Sequence, residues 1–512
     1  MVSFIARRIV VSILILVAAS FIMFVLAANS GDPLQDLSGS SSPNRQGLIQ
    51  ARVHANHLDL PSPVRWILWL GGVAKCAIPF ANQCDLGKTF SNQEVTDLLP
   101  TAMASTLQLV TLAFLLAVVL GIALGMVTAL RQYSAFDYSV TFISFFLFSL
   151  PSFLMAVMLK AFIALGFNDF LSTPFIGPVA LVVIGILVGG VWQLLIGGTW
   201  QRRLVVFGAS GLATSLVLWY MSATNWFLRP SLGPIVIALL IAGVAVGTTA
   251  IMAGIHNRKA LLTAGITGAI ALICYFGLQW LFNISSLGTL IFLAIAAIAV
   301  GILVGFLLGG YDRSLSMRVG AVVALLTGGL VLLDRFMQSW PAYLNLDQVN
   351  GRPIATVGAQ TPDLVGSVWI QGTDSFTHLL LPTISLLLIS FAGYTRYSRS
   401  GMLDVLNQDY VRTARAKGLP ERTVIVRHAF RNMLIPLATL VATDIGALLG
   451  GAVITETVFA ISGMGLLFVA GLNRVDVNPI MGYFLVIAIT AIVFNFLADL
   501  AYAALDPRVR TH

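Results

Sequence analysis

The chain is 512 residues long, and 58% of its residues are hydrophobic while only 10% are charged. Soluble domains carry roughly 25% charged residues, so this composition excludes a protein whose whole surface faces water. The formal net charge of +8 does not by itself indicate a nucleic-acid ligand, because Lys and Arg set the orientation of membrane proteins through their placement in loops.

Apolar runs long enough to span a membrane recur along the whole chain. A helix needs about 20 apolar residues to cross the hydrocarbon core, and the sequence therefore predicts an all-α polytopic membrane protein with about twelve spanning helices. The first run follows Arg7 and Arg8 and exceeds the roughly 7–15 residues of the apolar region of a signal peptide, so we interpret it as an uncleaved helix. The expected spans are residues 9–28, 101–128, 138–165, 174–197, 204–222, 232–254, 260–283, 287–309, 319–337, 378–395, 434–457 and 480–503.

The placement of Lys and Arg predicts the side of the membrane on which each loop lies. If the N-terminus is cytoplasmic and the spans alternate, the inner segments hold 19 of the 29 Lys and Arg, including the cationic segment 396–432. Shifting the register by one span would reverse this bias, and cytoplasmic loops normally carry the excess of positive charge. We therefore expect both termini in the cytoplasm.

The longest polar region, residues 30–100, is expected outside the cytoplasm. It begins with the turn-rich stretch NSGDPLQDLSGSSSPNRQG and continues into an apolar stretch in which Trp66 and Trp69 predict a helix at the membrane interface. Cys76 and Cys84 follow, and outside the cytoplasm such a pair can be oxidised to a disulfide, with two free thiols as the alternative. The three cysteines match no metal or redox spacing, so no metal site is expected.

The stretch QDYVRTARAKGLPERTVIVRHAFRNMLIP, residues 408–436, is densely cationic in an otherwise apolar chain. Gly418 suits the position just after a helix, where φ is often positive, and Pro420 suits the first turn of a second helix with Glu421 near its N-terminus. The pattern predicts helix, tight turn and helix. On charge alone, a loop resting on anionic headgroups is the alternative. A DNA-binding helix-turn-helix is disfavoured by the flanking spans, and no nucleic-acid partner is expected.

The same stretch carries a specific motif: DYVRTARAKGL at 409–419, Arg-His-Ala at 427–429, Arg431-Asn432 and Pro436. These residues resemble the cytoplasmic loop of ABC importer permeases of the oligopeptide/dipeptide subgroup. Residues 412–414, Arg-Thr-Ala, stand where the wider family has Glu-Ala-Ala, a replacement usual in this subgroup. The stretches FIARRIVVSILILVAASFIMFVL, SLPSFL, GGAVITETVFAISGMGLLFVAGLNRVD and YAALDPRVR extend the resemblance to residues 1–170 and about 370–512.

The resemblance implies a type I ABC importer permease core of about six helices, interrupted by about six inserted helices. An even number of inserted spans is required if the core is to keep its orientation. The insert is poor in ionisable groups and carries small residues four apart, which favours a structural or partner-binding bundle over a second transport path. The expected divisions are a first helix at 1–29, an outer segment at 30–100, core helices at 101–170, the insert at 171–338, an outer loop at 339–377, and core helices at 378–512 with a coupling loop at 396–433.

A permease of this kind implies partners that supply energy and substrate. None of the five lysines follows a phosphate-binding G-x-x-x-x-G-K-[ST] pattern, so we expect no ATPase activity or catalytic residue in this chain. The resemblance implies two ATPase subunits that bind ATP and Mg²⁺, a second homologous permease, and an external substrate-binding protein, in a bacterial plasma membrane. A coupling helix around Ala414–Glu421 would dock on one ATPase. The residues expected to couple are Tyr410, Arg412, Thr413, Ala414, Arg415, Lys417, Gly418, Leu419, Glu421 and His428.

Ionisable residues within the spans are candidates for the translocation path, because charges at membrane depth are costly. Asp444 is the first candidate, with an interhelical hydrogen bond as the structural alternative. Glu456 is expected nearer the outer end, as part of an external gate or docking surface, and Asp499 is a further candidate. Lys160 and the Asp334–Arg335 pair are expected near helix ends with their charged groups reaching the interface.

Two other classes of protein remain as alternatives. An ion-coupled secondary transporter would show inverted repeats with matching broken helices, and the sequence shows no convincing repeat. A membrane-embedded enzyme would need a site such as H-E-x-x-H, which the six histidines do not form. The subgroup favours short peptides as substrates, although related systems accept nickel chelates, haem or glutathione.

Overall fold

The computed structural model describes residues 2–39, 43–76 and 84–505, and within them the side chains of 2–6, 8–9, 447–449, 451 and 498–505 are not described. In this part of the chain twelve helices are long and apolar enough to cross a membrane, or thirteen if one sharply bent pair forms a further span. The expected all-α fold with about twelve spans is confirmed. The helices of the first third of the chain are α1 (Val2–Ala28), α2 (Gln35–Ser38), α3 (Arg45–Ala55), α4 (Ser62–Cys76), α5 (Val95–Leu130), α6 (Ala135–Ser149), α7 (Ser152–Met158) and α8 (Gly166–Ser172).

The remaining helices follow in the same chain order. Two π-helical stretches, Leu159–Leu165 and Val424–Phe430, interrupt the α-helical ladder, and a 3₁₀ turn lies at Gly310–Asp312. The α-helices are α9 (Pro178–Ile196), α10 (Trp200–Ala223), α11 (Gly233–Met252), α12 (Arg258–Gly277), α13 (Gln279–Asn283), α14 (Leu287–Leu308), α15 (Arg313–Leu344), α16 (Val368–Leu406), α17 (Asp409–Ala416), α18 (Glu421–Thr423), α19 (Arg431–Gly451), α20 (Val453–Phe459), α21 (Met464–Arg474) and α22 (Val477–Leu505).

The chain divides into two compact units. The first unit comes mainly from the two ends of the sequence and is called the outer-sequence unit. It contains Met1–Ile163, Thr356–Ala359 and Leu379–His512. The second unit comes from the middle of the sequence and is called the middle unit. It contains Ala164–Ala355 and Gln360–His378. Six of the candidate spans, from α9 to α15, lie in the middle unit. This number is even, as the resemblance required for an insertion between core helices.

In the outer-sequence unit, α5 packs closely against α16. A Cβ atom on Gly121 would lie 2.6 Å from the Tyr394 side chain, and one on Gly125 would lie 2.5 Å from the carbonyl oxygen of Thr395. Small residues let two helix backbones approach, and such contact is the main source of helix association in lipid. The amphipathic helix α4 packs on α1, where the Trp66 Nε1 donates to Ser20 Oγ at 3.1 Å.

In the middle unit, small residues likewise bring the helices of two pairs into close contact. Gly185 and Gly189 of α9 face Gly211 and Phe207 of α10, and Gly301 of α14 faces Gly320 of α15. A Cβ atom on Gly301 would lie 2.3 Å from the carbonyl oxygen of Gly320. The small-residue spacing seen in the sequence therefore marks real backbone contacts.

The expected third span, 138–165, is broken rather than continuous. Leu150 and Pro151 adopt extended backbone conformations, with ψ of 130° and 138°, and separate α6 from α7. Proline lacks an N–H and disfavours a helical conformation at the residue before it, so the helix stops there. With 15 residues, α6 is about 22 Å long and too short to cross the hydrocarbon core by itself.

The expected span 378–395 is longer in the structure. Helix α16 extends over 39 residues, from Val368 to Leu406, so the loop that follows begins at residue 407 rather than 396. Hydropathy marks only the apolar middle of this helix. Its two ends carry polar residues and continue the helical ladder beyond the hydrocarbon core.

The expectation that Asp334 reaches the interface is wrong, whereas that for the partly buried Lys160 stays a prediction. Asp334 is fully buried within the middle unit, where its carboxylate accepts hydrogen bonds from Tyr275 Oη at 2.8 Å, Leu232 N at 2.7 Å and Gln338 Nε2 at 2.6 Å. Lys160 donates from Nζ to the Val458 carbonyl oxygen at 3.1 Å. Internal hydrogen bonds satisfy both groups, because a partner inside the protein replaces the water found at the interface.

Gly301→Ala should lower the stability of the middle unit by about 1–3 kcal/mol, because the added Cβ would overlap the Gly320 carbonyl and push α14 from α15. Gly329→Ala on α15 is the matched control. No heavy atom lies within 4 Å of its Cβ position, and the better helix propensity of alanine should leave stability unchanged or raised by up to about 1 kcal/mol. Thermal unfolding of the two purified variants measures the difference, and equal midpoints would contradict the packing argument.

Candidate functional site

A short exposed helix and a tight turn follow α16. Helix α17 ends at Ala416, and Gly418 takes a left-handed conformation with φ of +74°. The Gly418 amide donates to the Arg415 carbonyl oxygen at 2.9 Å, and the Leu419 amide donates to the Ala414 carbonyl oxygen at 3.4 Å. This pair of bonds defines a Schellman motif, which requires a residue with positive φ at the position of Gly418. We name residues 409–423 the coupling turn.

The coupling turn is attached to the rest of its unit by one apolar face. Val411, Ala414 and Val424 are buried together and pack against Val405 and Leu406 at the end of α16. Polar residues between them face outward, as the helical period of the sequence predicts. The π-helical stretch Val424–Phe430 then leads into α19.

The opposite face of the coupling turn is exposed. Arg415 forms a salt bridge with Glu421 across the turn and donates two hydrogen bonds to its carboxylate, from Nε at 3.2 Å and from Nη2 at 2.7 Å. Such a bidentate pair fixes both side chains more firmly than a single contact. Of the ten residues expected to couple, Ala414 is buried and His428 half-buried, whereas the exposed ones are Tyr410, Arg412, Thr413, Arg415, Lys417, Gly418, Leu419 and Glu421.

The position expected for the coupling helix requires a correction. The helix occupies Asp409–Ala416, not Ala414–Glu421, and the latter range covers its last turn, the Schellman motif and the start of α18. Pro420 is the residue that precedes α18 rather than part of its first turn. The positive φ of Gly418 ends the helix, because an α-helix cannot continue through a left-handed residue.

Asp444 lies on α19 and accepts a hydrogen bond from the Tyr394 hydroxyl of α16 at 2.8 Å. Its side chain is half-buried, whereas Tyr394 is buried and packs edge-on against Phe114 of α5. Asp444 thus makes the interhelical contact given as its structural alternative and also keeps an accessible edge. The side chain of Asp499 lies outside the described residues.

Glu456 lies inside a sharply bent helical hairpin that the sequence did not predict. Helices α20 and α21 meet at 84°, and α20 ends at Phe459, just before Ala460, whose φ is +48°. The Glu456 carboxylate accepts hydrogen bonds from Thr106 Oγ1 at 2.6 Å and from the Gly465 and Leu466 amides at 2.6 and 3.2 Å. It therefore caps the N-terminus of α21, where a negative charge is favourable.

The burial of Glu456 revises its expected role. Its side chain has 0% accessible surface, so it does not form an exposed docking surface on this chain. Gly463 and Gly465 allow the chain to turn around the carboxylate, since a Cβ on Gly463 would lie 2.5 Å from its carbon. The signal in the sequence was the pair of glycines that follows Glu456 in ETVFAISGMG.

A second buried carboxylate joins the outer segment to the α21–α22 connection. Asp476 accepts a hydrogen bond from the Phe90 amide at 2.7 Å, and Asn478 donates from Nδ2 to the Lys88 carbonyl oxygen at 2.7 Å. Burial raises the pKa of Asp476 to about 6, partly offset by the hydrogen bond from Phe90. Cys76 and Cys84 form a disulfide in the same outer segment. No group of His, Cys, Asp and Glu in the described part of the chain could hold a metal ion.

Glu456→Ala should lower stability by about 2–4 kcal/mol, because it leaves two amides and the Thr106 hydroxyl without their acceptor. Thr457→Ala is the matched control, since this exposed hydroxyl bonds only the Val453 carbonyl of its own helix and should change stability by less than about 0.5 kcal/mol. Thermal unfolding with hydrogen exchange at residues 464–466 measures both. A similar small effect for the two variants would contradict the capping role.

Ionisation of the buried Asp476 should make local opening of the segment around Phe90 easier as the pH rises, because burial disfavours the charged carboxylate more than the Phe90 hydrogen bond favours it. The pKa of Asp476 in the folded chain, about 6, lies above its ordinary 3.8, so the stabilisation is complete below pH about 4 and is lost as the pH rises through 6. The full change is up to about 3 kcal/mol. Hydrogen exchange at the Phe90 amide, corrected for its intrinsic pH dependence, should therefore be slower at pH 4.5 than at pH 7.

Asp476→Asn should abolish that pH dependence while keeping the hydrogen bond to Phe90. Asp97→Asn, at an exposed position in the first turn of α5, should preserve it. If Asp476→Asn retains the full pH dependence, another group is responsible.

Comparison with known proteins identifies the family to which this chain belongs. Residues 121–511 match the family described as "Binding-protein-dependent transport system inner membrane component". The oligopeptide transport system permease protein OppB of Mycobacterium tuberculosis (strain H37Rv) is 35% identical over 236 residues, which are 44% of this chain and 70% of that protein. The dipeptide transport system permease protein DppB of Escherichia coli (strain K12) is 37% identical over 234 residues, 42% of this chain and 68% of that protein.

A third relative shares a shorter stretch at higher identity. The oligopeptide transport system permease protein AppB of Bacillus subtilis (strain 168) is 45% identical over 136 residues, 27% of this chain and 43% of that protein. The resemblance to importer permeases is thereby confirmed, and the ion-coupled alternative has no support. The family match covers most of the chain and agrees with its twelve candidate spans, so this multi-pass membrane protein belongs to the binding-protein-dependent transport system inner membrane components.

Proposed function

We propose that this chain is a permease subunit of an ATP-driven importer of short peptides, and that the coupling turn transmits movement from an ATPase subunit to the membrane helices. The family and the two relatives named for oligopeptide and dipeptide transport support the substrate class. The chain itself serves as a non-enzymatic part of the complex. ATP and Mg²⁺ bind to the partner ATPase subunits, and an external binding protein delivers the peptide.

The observation that carries this proposal is the coupling turn. Its buried face packs against the end of α16 and its opposite face is exposed. A partner that binds the exposed face can therefore move α16 and α19 together. The Schellman motif and the Arg415–Glu421 pair make the turn rigid. A flexible loop of the same charge would absorb the movement instead of transmitting it.

The proposal fixes the orientation of the chain. The coupling turn faces the cytoplasm, where the ATPase subunits hydrolyse ATP, and both chain termini lie on the same side. The clustering of Lys and Arg in 396–432 supports this orientation. Arg508 and Arg510, which contributed to that expectation, lie outside the described residues. The outer segment with the Cys76–Cys84 disulfide then faces an oxidising compartment, in agreement with where disulfides persist.

The path for the peptide lies between this permease and a second homologous one. Asp444 is its best candidate in this chain, because its carboxylate is half-buried at membrane depth and holds α16 to α19 through Tyr394. Glu456 acts by shaping the hairpin of α20 and α21 rather than by contacting substrate. The role of Asp499 rests on sequence alone.

Gly418→Val should reduce peptide-stimulated ATP hydrolysis by the reconstituted transporter at least roughly tenfold. A β-branched residue at φ of +74° costs about 1–3 kcal/mol of strain and shifts the turn, so the partner surface no longer fits. Insertion of the chain into the membrane should be unaffected. The measurement is ATPase activity of the complete complex in proteoliposomes, with and without peptide-loaded binding protein.

Two controls separate shape from charge and from general damage. Gly393→Val places the same side chain on α16, where no heavy atom from outside the local helix backbone lies within 4 Å of the Cβ position, and should leave activity near that of the parent protein. Arg412→Gln removes an exposed charge 3.9 Å from Asp409 and should change activity less than about twofold. Normal coupling in Gly418→Val, or uncoupling in Gly393→Val, would contradict the proposed role of the turn.

A further inference from the structure

An apolar cavity lies within the middle unit, between the spans α12, α14 and α15. Its volume is about 310 Å³, and the short helix α13, which links α12 to α14, contributes Phe282 to its lining. The proposed coupling mechanism makes no use of this cavity.

The cavity has a buried floor and an open side. Tyr275, Phe282 and Val331 are the buried lining residues, with 6%, 6% and 8% accessible surface. Leu325 and Val300 at the rim are 56% and 38% exposed. Since the rim residues lie on helices that are apolar enough to cross a membrane, the open side meets hydrocarbon rather than water.

Missing side chains on α15 account for part of the space. Helices α14 and α15 are in backbone contact at Gly301 and Gly320, where a Cβ atom on Gly301 would lie 2.3 Å from a carbonyl oxygen. Further along α15, Gly328 and Gly329 line the cavity, and no heavy atom from outside the local helix backbone lies within 4 Å of their Cβ positions. A gap of this kind leaves the surrounding side chains without the dispersion contacts of a packed interior.

The walls of the cavity offer water few partners. Tyr275 Oη donates to the carboxylate of Asp334 at 2.8 Å. Thr327 Oγ1 donates to the Val323 carbonyl oxygen at 2.7 Å, and Thr267 Oγ1 is fully enclosed by protein. A buried water needs about two to four polar partners, so apolar cavities stay dry. Hydrocarbon is therefore the filling that this cavity favours.

The length of the cavity matches one leaflet of a bilayer. Along α14 the lining extends from Leu290, near the start of the helix, to Val300, which is about 15 Å at the helical rise per residue. The hydrocarbon core is about 30 Å thick, and each leaflet contributes about half of it. The cavity thus extends from the α13 side of the membrane to the middle of the bilayer.

We propose that this cavity holds one acyl chain of a membrane phospholipid, inserted between α12, α14 and α15. An apolar cavity of about 150 Å³ holds one benzene molecule, so a cavity of about 310 Å³ has room for a chain segment with roughly twice as many carbon atoms. A helix of a partner protein is about 10 Å across with its side chains and is too wide for the same space. The headgroup of the phospholipid stays outside the cavity, on the α13 side of the membrane.

Photo-crosslinking of the full chain in lipid bilayer discs tests this proposal. The probe is phosphatidylethanolamine with a diazirine in the middle of one acyl chain, diluted into unlabelled phosphatidylethanolamine and phosphatidylglycerol, and mass spectrometry of the digested chain locates the adducts. They should concentrate on peptides that cover residues 267–278, 290–300 and 324–332. The exposed apolar surface of α10 at residues 212–220 reports ordinary contact with surrounding lipid and should carry fewer adducts.

Gly328→Leu should reduce the adducts on the cavity peptides to the level found on α10, because the leucine side chain occupies the space that the acyl chain needs. Gly265→Leu on α12 is the matched control. Its Cβ position is equally free of neighbours and lies outside the cavity lining, so its adducts should match those of the parent. Ala297→Phe fills the cavity from α14 and gives a second test if Gly328→Leu fails to fold.

Equal adduct levels on the cavity peptides and on α10 in the parent would overturn the proposal, and this comparison needs no variant. Unchanged adducts in a folded filling variant would overturn it as well. So would loss of the adducts in the complete transporter, where a side chain of a partner subunit would then fill the cavity. The adduct pattern does not depend on peptide-stimulated ATP hydrolysis, so failure of the proposed function would leave it unchanged.

Discussion

Direct contact between helix backbones is the constraint on which both units depend. Hydrocarbon gives no hydrophobic force between spanning helices, so they associate by close packing and hydrogen bonds. In the outer-sequence unit, Gly121 and Gly125 bring α5 against α16, and in the middle unit Gly301 and Gly320 bring α14 against α15. Near residues 394–399, the helix that precedes the coupling turn is thus held by contacts that have no room for a larger side chain at Gly121 or Gly125.

The same environment explains where the chain departs from straight helices. A backbone amide in hydrocarbon must find a partner inside the protein, so a bend survives only where another group satisfies the exposed ends. Glu456 does this for the hairpin of α20 and α21, and Asp334 does it for the amide of Leu232. From the sequence, Glu456 was expected at an external gate or docking surface and Asp334 near the membrane interface, and in the structure each carboxylate accepts hydrogen bonds from groups inside the chain.

Hydropathy and turn chemistry predicted the features that depend on residues close to one another in the sequence. The number of spans, the small-residue contacts of the middle unit and the left-handed Gly418 all follow from local composition. The break at Pro151 and the hairpin after Glu456 were missed, because an apolar run has the same hydropathy whether it is straight or bent. The partner of Glu456, Thr106, lies 350 residues away, and no local pattern could identify it. The full length of α16 was missed because its ends are polar.

The closed shape of the coupling turn has a kinetic consequence. Its backbone bonds and the grip of Arg415 on Glu421 are complete within the chain, so the turn has already lost its conformational entropy when a partner arrives. For the proposed ATPase partner, binding would then cost little further ordering of the turn and would need no folding step on the partner's surface. In the proposed complex, an ATPase subunit could therefore bind and leave this turn without unfolding it.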